Sequence, residues 1–142
     1  MAKGTTKSFT ASIDKWVADT EAASLDTFKD SVKAIAKDAR DAQPHETGNL
    51  ARSIVLSKDP RIPLGANDEV FPDPAANDAA VLADLKLGDH VYLGSLAAYA
   101  NRIEFGHTTS TGKHVAGRFG MLTAMNGWRG VVQRVAKRAF RG

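Results

Sequence analysis

Cysteine is absent from all 142 residues, and its absence removes disulfides, thiol nucleophiles and thiolate metal sites together. That suits a protein assembled in a reducing cytoplasm. No window approaches the roughly 18 consecutive apolar residues of a membrane span, and the N-terminal MAKGTTKSFT lacks the apolar core of a signal peptide. Neither membrane insertion nor secretion is therefore expected. Acidic residues are missing from the whole last quarter: residues 105–142 hold 7 basic and no acidic groups, whereas residues 1–104 hold 12 basic and 16 acidic ones. The last quarter is a cationic module. It is suited either to DNA phosphates, whose neutralisation releases counterions, or to the acidic remainder of the same or a neighbouring subunit.

With 43% hydrophobic residues the chain is large enough to bury one core without staples, so residues 1–142 are read as a single domain. Residues 10–42 contain neither proline nor glycine, follow a helical pattern, and are stopped by Pro44. Phe9, Ile13, Trp16, Val17 and Thr20 share one face of this helix. Leu25, Phe28, Val32 and Ile35 share another, rotated from the first by roughly 95° at about 100° per residue. Either the helix breaks near residues 22–24, or it is continuous and its halves face different partners. About 33 residues at 1.5 Å each make a rod of roughly 50 Å, while a compact domain of this length is equivalent to a sphere nearly 40 Å across. An unbroken helix would overhang its own domain, and its apolar end would need a neighbouring subunit. Asp14, Asp19, Asp26, Asp30 and Asp38 alternate with lysines as its solvated face.

Beyond Pro44 comes a turn, then Asn49 as the cap of one helical turn through Leu50 and Arg52, then a strand over residues 53–58. Four of the five prolines fall between positions 60 and 74, so residues 59–74 form an irregular loop with at most a brief strand at 69–71. In a ring-forming protein such a loop would be a natural arm onto the next subunit. Asp78 is placed as the cap of a short helix through Val81, Leu82 and Leu85 that Gly88 closes; a hairpin turning at Gly88-Asp89 is the alternative. Residues 107–117 are polar and form a loop or a weakly paired ribbon. Over residues 120–140, Met121, Met125, Trp128, Val132, Val135 and Ala139 recur at helical spacing with Val131 beside them, and Gly127 and Gly130 weaken the start of that helix. The expected class is α+β: a long N-terminal helix, a small and mainly antiparallel sheet with short helices, and an amphipathic C-terminal helix.

Residues 90–106, HVYLGSLAAYANRIEFG, are the most legible stretch. Val91 and Leu93 alternate with Tyr92 and Gly94 as in a half-buried strand, and Ser95 offers a cap to a following helix. Leu96, Tyr99, Ala100 and Ile103 form one apolar stripe, and Gly106 ends the helix. The V-Y-L-G strand and the Y-A-x-x-I-E-F-G run resemble the tail-completion (neck, or head-to-tail joining) proteins of long-tailed double-stranded DNA phages. Thr47-Gly48-Asn49-Leu50, followed by Arg52-Ser53-Ile54, is similar to the T-G-N-L-x-x-S-I run of that family, and Gly120-Met121-Leu122 resembles the start of its last helix. The likeness covers the chain from about residue 45 onward. It implies a structural virion protein of the neck, not an enzyme, formed in the host cytoplasm and assembled as a homo-oligomeric, hexameric ring. Its partners would be the tail tube or tail terminator and the head connector, with genome DNA passing through the lumen. Thr47, Gly48, Asn49, Leu50, Tyr99, Ile103, Glu104, Phe105 and Gly106 are then the motif and candidate interface residues. Arg129, Arg134, Lys137, Arg138 and Arg141 are candidates for contact with DNA or a neighbour. The alternative function is a small nucleic-acid-binding module using the basic C-terminal helix, although that face lacks interleaved aromatics or amides suited to bases.

No reaction chemistry is nominated. Thr111-Gly112-Lys113 suggests a phosphate loop, but His107 stands where the motif needs glycine and His114 where it needs Ser or Thr. The two histidines lack a third ligand, so no metal and no cofactor is expected. Glu104 lies in the last turn of a helix, where a carboxylate opposes the dipole and needs a donor. A local ion pair, loop amides or a neighbouring subunit would supply it. Phe105 lies about 180° from Leu96, so it is covered by the chain that follows, through Phe119 and Leu122, or inserts into a partner.

Overall fold

A computed structural model describes residues 2–44, 47–66 and 69–140, with side chains described from residue 8 onward. It is a mixed helix and sheet structure. Helix α1 (Ala2–Asp41) is followed by α2 (Asn49–Ser53), β1 (Ile54–Ser57), α3 (Ala75–Ala83), β2 (Tyr92–Ser95) and α4 (Ala100–Phe105). Strands β3 (Gly106–Thr108) and β4 (His114–Ala116) come next, then α5 (Gly120–Asn126) and α6 (Trp128–Ala139). The expected turn at His45 and Glu46 lies outside the described residues.

Helix α1 is unbroken over 40 residues, so the expected start near residue 10 is corrected to Ala2. Once nucleated, a helix gains one hydrogen bond for each residue added, and nothing between Ala2 and Asp41 interrupts that ladder. At 1.5 Å per residue the rod is about 60 Å long. Only its C-terminal half enters the core. Ser31, Val32, Ile35, Ala36 and Ala39 are all buried, and the small side chains among them let neighbouring elements approach the helix axis closely.

Three clusters dock onto that half. Val32 and Ala36 meet Leu56 of β1; Ile35 meets Val131 and Val135 of α6; Ala39 meets Ile54 and Ala124. Strands β1 and β2 pair antiparallel from Ile54 opposite Ser95 to Ser57 opposite Tyr92. Ile54 and Leu56 point inward from β1 with the period of two that a half-buried strand requires. Ile62, from the proline-rich loop, lies over Gly94, and its terminal methyl would have to shift if residue 94 had a side chain. The glycine of the V-Y-L-G strand thus admits the loop onto the outer face of the sheet.

Arg40 fastens α1 to the strand and to α3. Its Nε and Nη2 donate to the Ile54 carbonyl at 3.2 and 2.8 Å, and Nη2 also pairs with Asp78 Oδ2 at 2.5 Å. Asp78 Oδ1 accepts the Leu56 amide at 3.3 Å. Asp78 is therefore no helix cap: α3 starts at Ala75, and the carboxylate faces the core. Leu85, expected within that helix, is buried just beyond its end.

The C-terminal helix is divided at Gly127 into α5 and α6, and Val131 rather than Val132 is its deeply buried residue. Met125, on the apolar stripe read from the sequence, is 49% exposed. The polar stretch after α4 is a paired ribbon, with Gly106 opposite Ala116 and Thr108 opposite His114. At Gly106 the backbone adopts φ 84°, ψ 173°, and the Val115 carbonyl lies where a Cβ would stand; only glycine fits this junction of helix and ribbon.

Candidate assembly interface

Asn49, Leu50, Tyr99 and Ile103 gather around a side-chain knot that holds the proline-rich loop, whereas Glu104, Phe105 and Gly106 face α5 and the ribbon. Gly48 precedes α2 with a left-handed backbone, and Thr47 Oγ1 accepts the Asn49 amide at 3.2 Å. Asn49 does not cap α2, because its side chain is turned to the loop. Its Oδ1 accepts the Phe71 amide at 2.8 Å, while Nδ2 donates to the Glu69 carbonyl at 2.9 Å and to Tyr99 Oη at 3.3 Å. Arg52 Nε donates to the Phe71 carbonyl at 3.0 Å. These side chains take the backbone groups that a strand at 69–71 would have used, and no strand forms there.

Phe71 is buried against Leu50 and Ala97, and Leu96, Tyr99, Ala100 and Ile103 pack around them. The four residues expected as one helical stripe do face inward, but Leu96 and Tyr99 precede α4 and pack from the chain before it. Ser95 does not cap α4, which begins five residues later at Ala100; its Oγ accepts the Ala97 amide at 3.1 Å and bonds Ser53 Oγ at 2.7 Å. Leu50, Tyr99 and Ile103 are consequently internal scaffold within one subunit.

Glu104 is 8% exposed, and its partners are helix amides. Oε2 accepts from Met121 at 3.1 Å and Oε1 from Leu122 at 2.8 Å, at the first turn of α5. A carboxylate there satisfies two orphan donors and complements the positive end of that helix dipole. Phe119, just before α5, is held at φ 51° by its own amide bond to the Glu104 carbonyl at 3.1 Å.

Phe105 turns the other way. It meets Phe119 edge-on, with ring centroids 6.0 Å apart, yet remains 61% exposed. Phe119, Leu122 and Met125 continue the apolar surface along α5. The strip leads to an open cleft of about 190 Å³ walled by Phe28, Val32, Leu56, Leu93, Met125 and Trp128. Sequence reasoning missed the cleft, because its walls come from α1, both strands of the first sheet and the bend at Gly127.

A second unpartnered surface lies on the N-terminal half of α1, where Phe9 is 66% and Trp16 65% exposed, with Ile13 and Val17 beside them. The overhang expected of an unbroken helix is therefore present. On α6, Arg129, Arg134, Lys137 and Arg138 are exposed; Arg141 lies outside the described residues. Arg138 borders an open groove that also holds Asp19, Asp26 and Asp30 of α1. Asp78, Lys33, Lys37 and Arg40 line the same groove, so its charges are mixed.

A few surface charges elsewhere are paired locally. Hydrogen bonds with Asp19 and Asp41 hold Lys15 and Lys37 above the usual lysine value. Lys58 is raised in the same way by Asp84 and Asp89. Among the described residues no three His, Asp or Glu side chains converge as a metal site would require, and no helix is long and apolar enough to cross a membrane. No family model matches the chain, and no curated protein or solved structure matches it either. The likeness to tail-completion proteins therefore rests on the motif residues alone.

Proposed function

We propose that this chain is a structural protein of the neck of a long-tailed phage, assembling head-to-tail into a ring that completes the tail and meets the head connector. On this reading it is a virion component without a reaction of its own. It is made in the host cytoplasm, and the ring is six-fold with the genome passing through it. The observation that carries the reading is the overhang of α1, an unbroken helix of 40 residues whose outer half bears Phe9, Ile13, Trp16 and Val17 without partners in its own subunit. Isolated apolar residues are ordinary on a surface, but a row of four on one projecting helix face is the mark of an interaction site. Contacts between unlike patches generate rings when the rotation closes.

The motif residues support the same reading indirectly. Asn49, Arg52 and Tyr99 fix the loop and Glu104 fixes α5, so the family pattern builds a rigid body that presents Phe105 and Phe119. Electron microscopy of virions and free tails made without this protein tests the assignment. Unfinished tails and unattached heads are expected, and normal tails firmly joined to heads would sink it. Steep, salt-sensitive binding of the purified protein to duplex DNA, lost on neutralising Arg129 and Arg134, would instead favour the nucleic-acid reading.

A further inference from the structure

The two unpartnered apolar surfaces fit one another, and we infer that they join neighbouring copies. The outer half of α1 in one subunit lies on the α5 strip of the next, with Trp16 seated in the cleft beside Met125 and Trp128. This inference rests on the ring proposed above and specifies its contact.

Dimensions support the match. From Phe9 to Val17 the α1 stripe is about 12 Å long, and from Phe119 to Met125 the strip is about 9 Å long, with Phe105 extending it. The cleft volume of about 190 Å³ exceeds the 150 Å³ of a cavity that holds benzene, so it has room for the larger indole ring. Met125 forms part of the wall, and a thioether against an indole is a favourable contact that adapts to shape.

Charge supports it as well. Residues 8–21 carry Asp14, Asp19 and Glu21 against Lys15, a net charge of −2, while Lys3 and Lys7 at the far end of the helix bring residues 2–21 to neutrality. The receiving region, residues 105–129, carries Lys113, Arg118 and Arg129 with no acid, a net charge of +3. The cations of the strip are drawn to the acids beside Trp16, whereas strip against strip would repel.

The same chain cannot make the contact with itself. Trp16 and Phe28 sit about 18 Å apart along one unbroken helix, which keeps the stripe away from the cleft that Phe28 walls. The contact is therefore between unlike patches of different copies. Its area also decides how it is used: an α1 overhang of about 20 Å offers far less than the roughly 800 Å² per partner of a standard interface. One such contact is weak. Closure, in which each subunit gives one stripe and receives another, makes it persist.

The absence of native cysteine makes the test direct. A Ser12→Cys chain and a differently tagged Asn126→Cys chain, whose thiols flank the contact while Trp16 and Met125 stay in place, are mixed and treated with a short bis-maleimide. Both positions are exposed, so the substitutions leave the core untouched. Seated partners hold the thiols at a local concentration on the order of millimolar, so unlike pairs should exceed like pairs by about tenfold or more. Equal yields of like and unlike pairs, or no cross-link at the highest soluble concentration, would overturn the contact. The Ser12→Cys/Asn126→Cys double variant then separates this contact from the ring. Cross-linked closed species of several subunits support both. A closed reciprocal dimer supports the contact and removes the ring; rings seen by light scattering without unlike cross-links keep the ring and remove the contact.

Discussion

Replacing Glu104 discriminates between a residue that builds the subunit and one that joins subunits. In Glu104→Ala the Met121 and Leu122 amides lose their acceptor, at 3.1 and 2.8 Å in the native protein. Hydrogen bonds to a charged group are worth about 1.5–3 kcal/mol each, and loss of an ordinary helix cap costs about 1 kcal/mol. Water reaches amides at a half-open helix end, so the lower part of the range applies, and the expected loss is about 3 kcal/mol. With an unfolding entropy of about 2.1 cal/mol/K per residue, that lowers Tm by roughly 10 °C for a chain of this length. Glu104→Gln keeps the shape and one acceptor oxygen but turns a donor toward a donor, and about 2 kcal/mol is expected. Urea unfolding followed by far-UV circular dichroism measures both. Faster hydrogen exchange at Met121 and Leu122 localises the effect to the start of α5. Both variants unfolding within about 0.5 kcal/mol of the native chain would refute the capping role.

Ser31 Oγ is buried without a partner in the middle of α1, so Ser31→Ala should stabilise the protein by about 0.5–1.5 kcal/mol in urea unfolding; a loss instead would show that the hydroxyl is bonded. Asp78→Ala leaves Arg40 and the Leu56 amide facing a gap, and about 3 kcal/mol should be lost, read as a lower urea midpoint. Phe119→Asn suits the left-handed backbone better but gives up the Phe105 contact. Stability within about 1 kcal/mol of native, with weakened self-association by sedimentation, is expected. The Lys86 amide and then Lys58 hold Asp89 below its ordinary value of 3.8. Its contribution is therefore complete above that value and lost as pH falls through the lower folded value. Asp89→Asn should flatten the acid limb of Tm against pH, and an unchanged limb would discount the pair.

What was legible in the sequence and what was not divide along a physical line. Helix α1 could be read because the absence of proline and glycine over residues 10–42 and the two rotated stripes are properties of the segment itself. The strand at Ile54–Ser57 and the stop at Gly106 are equally local. Asn49, Asp78 and Ser95 were each misplaced as helix caps. A cap contributes about 1 kcal/mol, and a short polar side chain abandons it when a long-range partner satisfies more buried backbone. Asn49 instead serves Glu69, Phe71 and Tyr99, Asp78 serves Arg40 and Leu56, and Ser95 serves Ser53 and Ala97.

The reverse holds for Glu104 and Phe105, adjacent at the end of a helix of only six residues. Rotation by about 100° between them sends one carboxylate inward to cap α5 and one ring outward beside it. Capping by Glu104 fixes where α5 starts, which fixes Phe119 against Phe105 and aligns Leu122 and Met125 behind them. A buried acid thereby determines the shape of an apolar surface it does not belong to. If that surface receives α1 of a neighbour, Glu104→Gln should weaken assembly only to the extent that α5 moves, and Trp16→Ala should weaken it with no loss of subunit stability. Sedimentation and urea unfolding on the two variants separate these effects. Equal losses of assembly and stability in Trp16→Ala would mean that the outer half of α1 packs within its own subunit.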